Sequence, residues 1–207
     1  MNQSLGIEIS IAYTSLLTRA NQTLDTVLNQ IQIQEVYRDW RLNERHYGGL
    51  TGLDKAECVV KYGKEQVGIW RRSYDVQPPE MDSKHPFYSQ IIQNKKFQGI
   101  LREEEIPCSE SLADLVHRTT PLWRDSILPN LALGKTVLVV AHGTSLRGLV
   151  MHIEGLSSEE IEKTDLPNGI PFMYRYNSSL DLVERRVYLA DKDHVQQAIL
   201  KVSNINR

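Results

Sequence analysis

The chain has 207 residues, of which 41% are hydrophobic and 24% charged, as is usual for a soluble globular protein. Its formal net charge of -2 excludes a general attraction to nucleic acids or anionic membranes. Binding of an anion would therefore require a local cluster of Arg, Lys or His residues. The two cysteines are too few for a disulfide framework and lack metal-ligand spacing, so we expect reduced thiols in a cytoplasmic protein. No apolar run reaches membrane-spanning length.

The first half of the chain predicts alternating strands and helices, followed by irregular structure. Residues 7–13 and 36–40 predict strands, and the apolar spacing from Thr14-Ser15, the expected cap, to about Gln30 predicts a helix. Other segments predict a helix at 55–72 that contains Gly63, an extended proline-rich loop at 77–86 and a surface excursion at 87–107.

The second half predicts helices, a buried strand and a hairpin. An amphipathic helix is expected to start at Ser111, its cap, and to end near Leu128. The later elements are a strand at 137–141, a helix at 145–154, a helix capped by Ser157, a hairpin of 172–176 with 182–188, and a terminal helix at 193–202.

The stretch from Val137 to Thr144 is the first candidate site. The apolar run 137–141 is typical of a parallel strand buried on both faces, and it ends abruptly in His142-Gly143-Thr144 before a helix. A glycine turn at a helix N-terminus points N–H groups and the positive end of the helix dipole at one spot. The pattern therefore favours an anion site that includes His142, although a histidine at a strand end is often only a hydrogen-bonded core residue.

Other polar residues could complete such a site. The loop from Trp40 to Gly49 is dense in polar groups and ends in glycines that could let the backbone approach a ligand, and its Glu44 could serve as a general acid and base. Arg71-Arg72 could clamp phosphate or carboxylate, or simply complement a helix C-terminus. Arg19 could reach over the sheet or lie on the surface, and Lys55 at a helix start would be favoured by a bound anion.

Taken together, these residues resemble the cofactor-dependent phosphoglycerate mutases of the histidine phosphatase superfamily, with the related bisphosphoglycerate mutases. The resemblance spans about residues 10–202. It is carried by Thr14-Ser15, Leu17-Thr-Arg-Ala20, Trp40-Arg-Leu-Asn-Glu-Arg-His-Tyr-Gly-Gly49, Ile69-Trp-Arg-Arg-Ser-Tyr-Asp75, His85-Pro-Phe-Tyr88, Glu110-Ser-Leu112, Ala141-His-Gly143, Ser145-Leu-Arg147 and Leu166-Pro-Asn-Gly-Ile-Pro171.

This resemblance implies one α/β domain over residues 1–207, with a mostly parallel sheet flanked by helices. It implies exchange of 2- and 3-phosphoglycerate in glycolysis through a phosphohistidine primed by 2,3-bisphosphoglycerate, without a metal, and it allows a homodimer. By position, Glu44 would donate and accept the proton, His142 would stabilise the transferring phosphoryl group and Arg19 would hold that group. The implied substrate-binding residues are Arg19, Glu44, Arg45, His46, Tyr47, Lys55, Arg71, Arg72, Gly143 and Thr144.

One departure from the family concerns its first, interior strand, which ends in Arg-His-Gly-Glu and carries the nucleophilic histidine. The chain has no such motif, so we expect a member truncated at its N-terminus, with uncovered strand edges and no covalent catalysis. Mutase activity after that segment is restored, a non-catalytic phosphoglycerate-binding or interaction protein, and bisphosphoglycerate mutase or phosphatase chemistry remain alternatives. A smaller departure is Thr144, where the family usually has Asn.

Overall fold

The computed structural model describes residues 6–206 and builds its main sheet around one short, fully buried strand. This strand, β1 (Ile11–Thr14), is buried at all four positions. β2 (Glu35–Arg38) and β3 (Val137–Val140) pair with β1 in parallel on its two sides, which gives the order β2-β1-β3. The prediction of an α/β fold with a parallel sheet is confirmed.

The apolar strand β3 does not have the surroundings that its sequence predicts. Within residues 6–206 it pairs only with β1, and all four of its side chains are half-buried, so the prediction of burial on both faces is wrong. The central place belongs to β1, whose Ile11 and Tyr13 pack in one cluster with Leu122 and Leu149. An apolar run identifies a strand beside a core, but it does not distinguish the centre of a sheet from its edge.

The first helix starts later than predicted. α1 (Thr18–Leu28) buries Ala20 and Leu24, but its N-cap position is Leu17, which offers no side-chain hydrogen bond. The prediction that Thr14-Ser15 caps this helix is therefore wrong. Thr14 ends β1 and its hydroxyl donates to the Val140 carbonyl, whereas Ser15 follows the strand and its hydroxyl accepts from the Leu17 N–H before α1.

The predicted helix at 55–72 is two helices, α2 (Lys55–Tyr62) and α3 (Lys64–Arg72). Gly63 separates them because its φ of 83° lies in a region that side-chain-bearing residues rarely adopt. After α3 the chain forms the expected extended segment and an excursion with the one-turn α4 (Tyr88–Ile91), which packs around its own buried cluster of Met81, Ile92 and Ile106.

The second half follows the predicted order. α5 (Leu112–Leu122) is capped by Ser111 as predicted, but the helical path continues past Leu128 through a π turn at Trp123–Ile127. The remaining elements are α6 (Leu128–Ala132), α7 (Gly143–Glu154), α8 (Ser158–Glu162) with Ser157 as its cap, the antiparallel hairpin of β4 (Phe172–Tyr176) and β5 (Leu182–Tyr188), and α9 (Lys192–Asn206).

Helices α5 and α7 pack closely behind the main sheet. A Cβ atom on Gly148 of α7 would lie 2.5 Å from Leu115 Cδ2 and 3.1 Å from Thr119 Oγ1 of α5, so a larger residue would force the Leu115 side chain to move. The packing fixes the first turn of α7 beside the carboxyl ends of β1 and β3. Ligands of parallel α/β sheets bind at such strand ends.

Candidate active site

His142 lies where β3 ends and α7 begins, and it is 7% exposed. Its Nδ1 accepts a hydrogen bond of 3.1 Å from Arg19 Nε, so the ring proton of the neutral form is on Nε2, which lies 2.8 Å from Ser15 Oγ and donates to it. The structure thus places Arg19 over the carboxyl end of the sheet. Both ring nitrogens of His142 are already engaged by residues that follow β1.

The imidazole of His142 is neutral at physiological pH. Burial, together with the positive charges of Arg19 and Arg118, lowers its pKa to about 4. Because Nε2 already donates to Ser15 Oγ, the neutral ring can act on an anion only through Arg19, whose Nε it holds. An anion placed beside it would raise its pKa.

The carboxylate of Glu44 lies at the start of α7. One oxygen accepts a hydrogen bond of 2.8 Å from the Arg45 N–H, and the other accepts a longer one of 3.4 Å from the Thr144 N–H. The N-terminus of α7, where the sequence predicts an external anion, is therefore already in contact with a carboxylate of the chain itself. The predicted anion site at 137–144 is not self-sufficient, and Glu44 is part of it.

A buried ion pair holds the Glu44 loop in place. Arg118 of α5 forms a two-pronged pair with Glu110, with distances of 2.6 and 3.0 Å, and both side chains are less than one-tenth exposed. The same guanidinium donates to the carbonyls of Arg41 and Asn43, while Glu110 accepts from the His46 N–H. These contacts bridge the loop at several points, so its shape depends on residues far away in the chain.

Sequence reasoning missed the roles of Arg118 and Asn43. One feature of the sequence could have indicated the role of Arg118. This charged residue lies on the apolar face of α5 between Leu115 and Leu122, and a charged residue is rarely buried without partners. Asn43 accepts from the Leu16 N–H through its side chain and so ties the loop to the end of β1. Nothing in the local sequence distinguishes this amide from the other polar groups of the loop.

A small cavity of about 180 Å³, here called the arginine cavity, lies between α3 and the start of α7. Arg72 on its wall donates to the Glu162 carbonyl and pairs with Asp165 at 3.3 Å. The cavity collects many of the predicted site residues. Those that line it are Glu44, Tyr47, Arg71, Arg72, Gly143 and Thr144, and sequence reasoning did not include its further lining residues Arg147, Asp165, Leu166, Asn168 and Val202.

A larger cavity of about 630 Å³ lies on the other side of the same loop. Glu44 and Tyr47 border both cavities, whereas Arg19, Arg45 and His46 line only the larger one. His46 Nδ1 accepts from the Gly48 N–H, and burial lowers the pKa of this histidine, so it is a neutral ring with its proton on Nε2.

Several predicted site residues lie elsewhere or act differently. Lys55 and His142 line neither cavity. Lys55 starts α2, where Asp54 and Glu57 form a capping box whose carboxylates compensate its unfavourable charge, and burial with nearby Arg71 lowers its pKa. The glycines that end the Glu44 loop pack against the backbone at Pro79, since the Gly49 N–H donates to the Pro79 carbonyl and a Cβ on Gly48 would collide with it.

The described residues contain neither a candidate metal site nor a candidate membrane span. Within residues 6–206, no group of three or more His, Cys, Asp or Glu side chains is arranged to hold a metal ion. None of the helices in that range is long and apolar enough to cross a membrane.

Solved structures of other proteins share this fold. Mycobacterial hydrolase 1 superposes with a TM-score of 0.63 at 19% identity, covering 87% of this chain and 77% of its own. A mycobacterial glucosyl-3-phosphoglycerate phosphatase complexed with VO3 gives 0.60 at 18% identity, with 88% and 76% covered. Bacillus stearothermophilus YhfR gives 0.60 at 16% identity, with 90% and 75% covered.

At these identities the structural matches show a shared fold. The family is shown by the sequence itself, because the model of the histidine phosphatase superfamily, branch 1, matches residues 3–96 and 88–179, which is most of the chain. The chain therefore belongs to branch 1 of the histidine phosphatase superfamily.

Proposed function

We propose that the arginine cavity binds phosphoglycerates, and that it is the substrate site of a phosphoglycerate mutase-type exchange of 2- and 3-phosphoglycerate, for which we assign no phosphoryl acceptor within residues 6–206. The observation that carries this proposal is the convergence of Arg71, Arg72 and Arg147 with Glu44 on one cavity of about 180 Å³. Guanidinium groups match phosphate and carboxylate oxygens in a planar, two-pronged geometry. The cavity supplies such groups from two helices, α3 and α7, which face each other across it.

The proposed chemistry assigns proton transfer to Glu44. Its carboxylate borders the cavity, where it can take the proton of a substrate hydroxyl and return it, while the arginines neutralise the phosphoryl oxygens. A phosphohistidine primed by 2,3-bisphosphoglycerate would need a histidine nitrogen with a free lone pair. In His142 and His46 the unprotonated nitrogens accept from Arg19 and Gly48, so we assign neither residue as the nucleophile.

Phosphatase chemistry is the second candidate, because one superposed structure is named a glucosyl-3-phosphoglycerate phosphatase and another a hydrolase. In this alternative, water replaces the accepting hydroxyl near Glu44. A non-catalytic phosphoglycerate-binding protein is the third candidate. All three share the binding step in the arginine cavity, and they differ in the fate of the bound phosphoglycerate.

Calorimetric titration of the purified 207-residue chain with 3-phosphoglycerate tests the binding step. We expect saturable binding that is lost when Arg71 and Arg72 are both changed to Gln, and retained when the exposed Arg102 is changed to Gln. No heat of binding to a folded chain would overturn the proposal. Assays of mutase, phosphatase and bisphosphoglycerate synthase turnover on the same sample then choose among the candidates, and binding without turnover would leave the non-catalytic one.

A further inference from the structure

Arg147 lies in the arginine cavity by virtue of helix geometry. It follows Gly143 and Thr144 by four and three residues in α7, so the three residues share one face of the helix. All three line the cavity, opposite Arg71 and Arg72 of α3. A ligand that reached the start of α7 from the cavity would therefore pass the guanidinium of Arg147.

The guanidinium of Arg147 is incompletely paired in a buried position. One terminal nitrogen donates to the Ile161 carbonyl at 2.6 Å, which ties α7 to α8. The Nε–H group is buried and has no hydrogen-bond partner. A buried donor without an acceptor lowers the stability of the folded state, and a charged donor lowers it more. The Nε–H group of Arg147 is therefore well suited to donate a hydrogen bond to an oxyanion.

The charges around Arg147 also favour an anion. Burial lowers the pKa of Arg147, and the positive charges of Arg45 and Arg72 lower it further, while Asp165 and Tyr47 act in the opposite direction. Asp165 is already paired with Arg72. The guanidiniums of Arg45 and Arg72 thus lie close enough to disfavour the charge of Arg147, and an anionic ligand beside Arg147 would oppose that repulsion.

Glu44 determines which end of a ligand can lie near Arg147. Its carboxylate accepts from the Thr144 N–H at the first turn of α7, so an anionic group placed there would be repelled. A hydroxyl suits the position beside Glu44, whereas an oxyanion suits the end of the cavity that holds Arg147. A molecule with an anionic group and a hydroxyl on neighbouring carbons satisfies both ends.

We propose that Arg147 is a ligand-binding residue that holds an oxyanion of the substrate through Nε–H, so that the substrate hydroxyl meets Glu44. The inference rests on the proposed function, since it takes the arginine cavity as the substrate site. It assigns to Arg147, one of the three arginines on the cavity wall, a direct contact with one anion of the ligand. It also gives the bound phosphoglycerate a direction in the cavity.

The test measures the affinity of the full chain and of Arg147→Gln for three ligands by calorimetry. 3-Phosphoglycerate carries both anions, glycerol 3-phosphate carries only phosphate, and glycerate carries only carboxylate. We expect the variant to lose on the order of 10- to 100-fold in affinity for 3-phosphoglycerate. Its affinity should also fall for one of the two simpler ligands, namely the one that carries the anion held by Arg147. Arg124→Gln, at an exposed ion pair, is the matched control and should change none of these affinities.

A purely structural role for Arg147, through the Ile161 carbonyl, predicts something different. It would lower the affinities for all three ligands by the same factor, or lower only the free energy of unfolding, and either result would overturn the inference. A nuclear magnetic resonance measurement on the unmodified chain does not depend on the folding of a variant. The Arg147 Nε–H resonance should shift when 3-phosphoglycerate is added, and an unshifted resonance at saturation would also overturn the inference.

The proposed function and the role of Arg147 fail in distinguishable ways. If the unmodified chain binds none of the three ligands, the proposed function fails, and the inference fails with it. If the unmodified chain binds 3-phosphoglycerate and Arg147→Gln binds it equally well, only the inference fails.

Discussion

His142 makes the stability of this protein dependent on pH in a calculable direction. Its pKa in the folded state is about 4, below the ordinary value near 6.5. The unfolded chain therefore binds a proton more readily, so the full contribution to stability is present above pH 6.5 and is lost as the pH falls towards 4. The loss reaches on the order of 3 kcal/mol at the acid limit.

The variant His142→Gln should lack this part of the pH dependence. Urea unfolding of both proteins at neutral pH and near pH 4 isolates the contribution of His142 to the free energy of unfolding. The other histidines and the carboxylates titrate in both proteins, so their contributions largely cancel when the two free energies are subtracted. We expect the two stabilities to converge as the pH falls, since only the parent loses the His142 contribution. A constant difference between the two proteins would show that burial does not depress the pKa of His142.

Glu44 gives the second prediction for a single residue. Its carboxylate lies at the first turn of α7 and borders the arginine cavity, so it repels an anion bound there even though it is the proposed acid and base. Glu44→Gln should therefore bind 3-phosphoglycerate several-fold more tightly, while any turnover falls by about 10²- to 10⁴-fold. Calorimetry and a turnover assay measure the two effects.

Glu104→Gln is the control for Glu44→Gln, because it removes the same charge from an exposed side chain. It should alter neither binding nor turnover. Weaker binding by Glu44→Gln would mean that the carboxylate organises the cavity more than it opposes the ligand.

At the scale of the elements, the Glu44 loop depends on the ion pair between Arg118 of α5 and Glu110. Arg118→Met leaves Glu110 buried without its partner, and such a change costs about 3–5 kcal/mol of stability. The double variant Glu110→Gln with Arg118→Met should lose less than Arg118→Met alone, because no uncompensated charge remains. Urea unfolding of the parent, the single variants and the double variant gives the interaction energy.

The contact between α5 and α7 can be tested through its glycine. Gly148→Ala places a methyl group 2.5 Å from Leu115 Cδ2, and such overpacking costs about 1–3 kcal/mol. Gly68→Ala in α3 is the matched control, because, apart from its chain neighbours and the backbone of its own helix, nothing lies within 4 Å of its added Cβ; there, the better helix former should stabilise the protein by up to about 1 kcal/mol. Thermal unfolding should therefore shift in opposite directions for the two variants. Equal shifts would contradict the close packing.

These elements also show how far the sequence could predict the structure. Local apolar runs and the glycine turn were sufficient to locate β3 and the helix after His142. They placed β1 only roughly, because the strand predicted at 7–13 is observed at Ile11–Thr14. The break at Gly63 depended on backbone conformation, which a helical apolar pattern conceals. The pairing of Arg118 with Glu110, like the approach of Glu44 to the start of α7, is set by packing between distant segments, and no local pattern records it.

At the scale of the whole molecule, charge is distributed unevenly. The net charge is -2, yet the arginine cavity gathers Arg71, Arg72 and Arg147. Long-range attraction of a phosphoglycerate is therefore weak, and recognition depends on contacts inside the cavity, where salt screens charges less than at the surface. The predicted cytoplasmic location, the single domain and the homodimer remain predictions.

One edge of β3 has no paired strand within residues 6–206, and this gives a prediction about assembly. Within residues 6–206 this strand pairs only with β1, and its apolar residues are half-buried, a combination that favours pairing with another chain. A two-fold dimer that joined two β3 edges would be antiparallel across the joint. Sedimentation velocity should therefore show self-association that increases with protein concentration, and Leu138→Lys on β3 should suppress it in a chain that remains folded by circular dichroism. Leu133→Lys, which adds the same charge at an exposed position before the strand, should leave the association unchanged; a monomer at all concentrations, or equal suppression by both variants, would rule out the β3 edge as the interface.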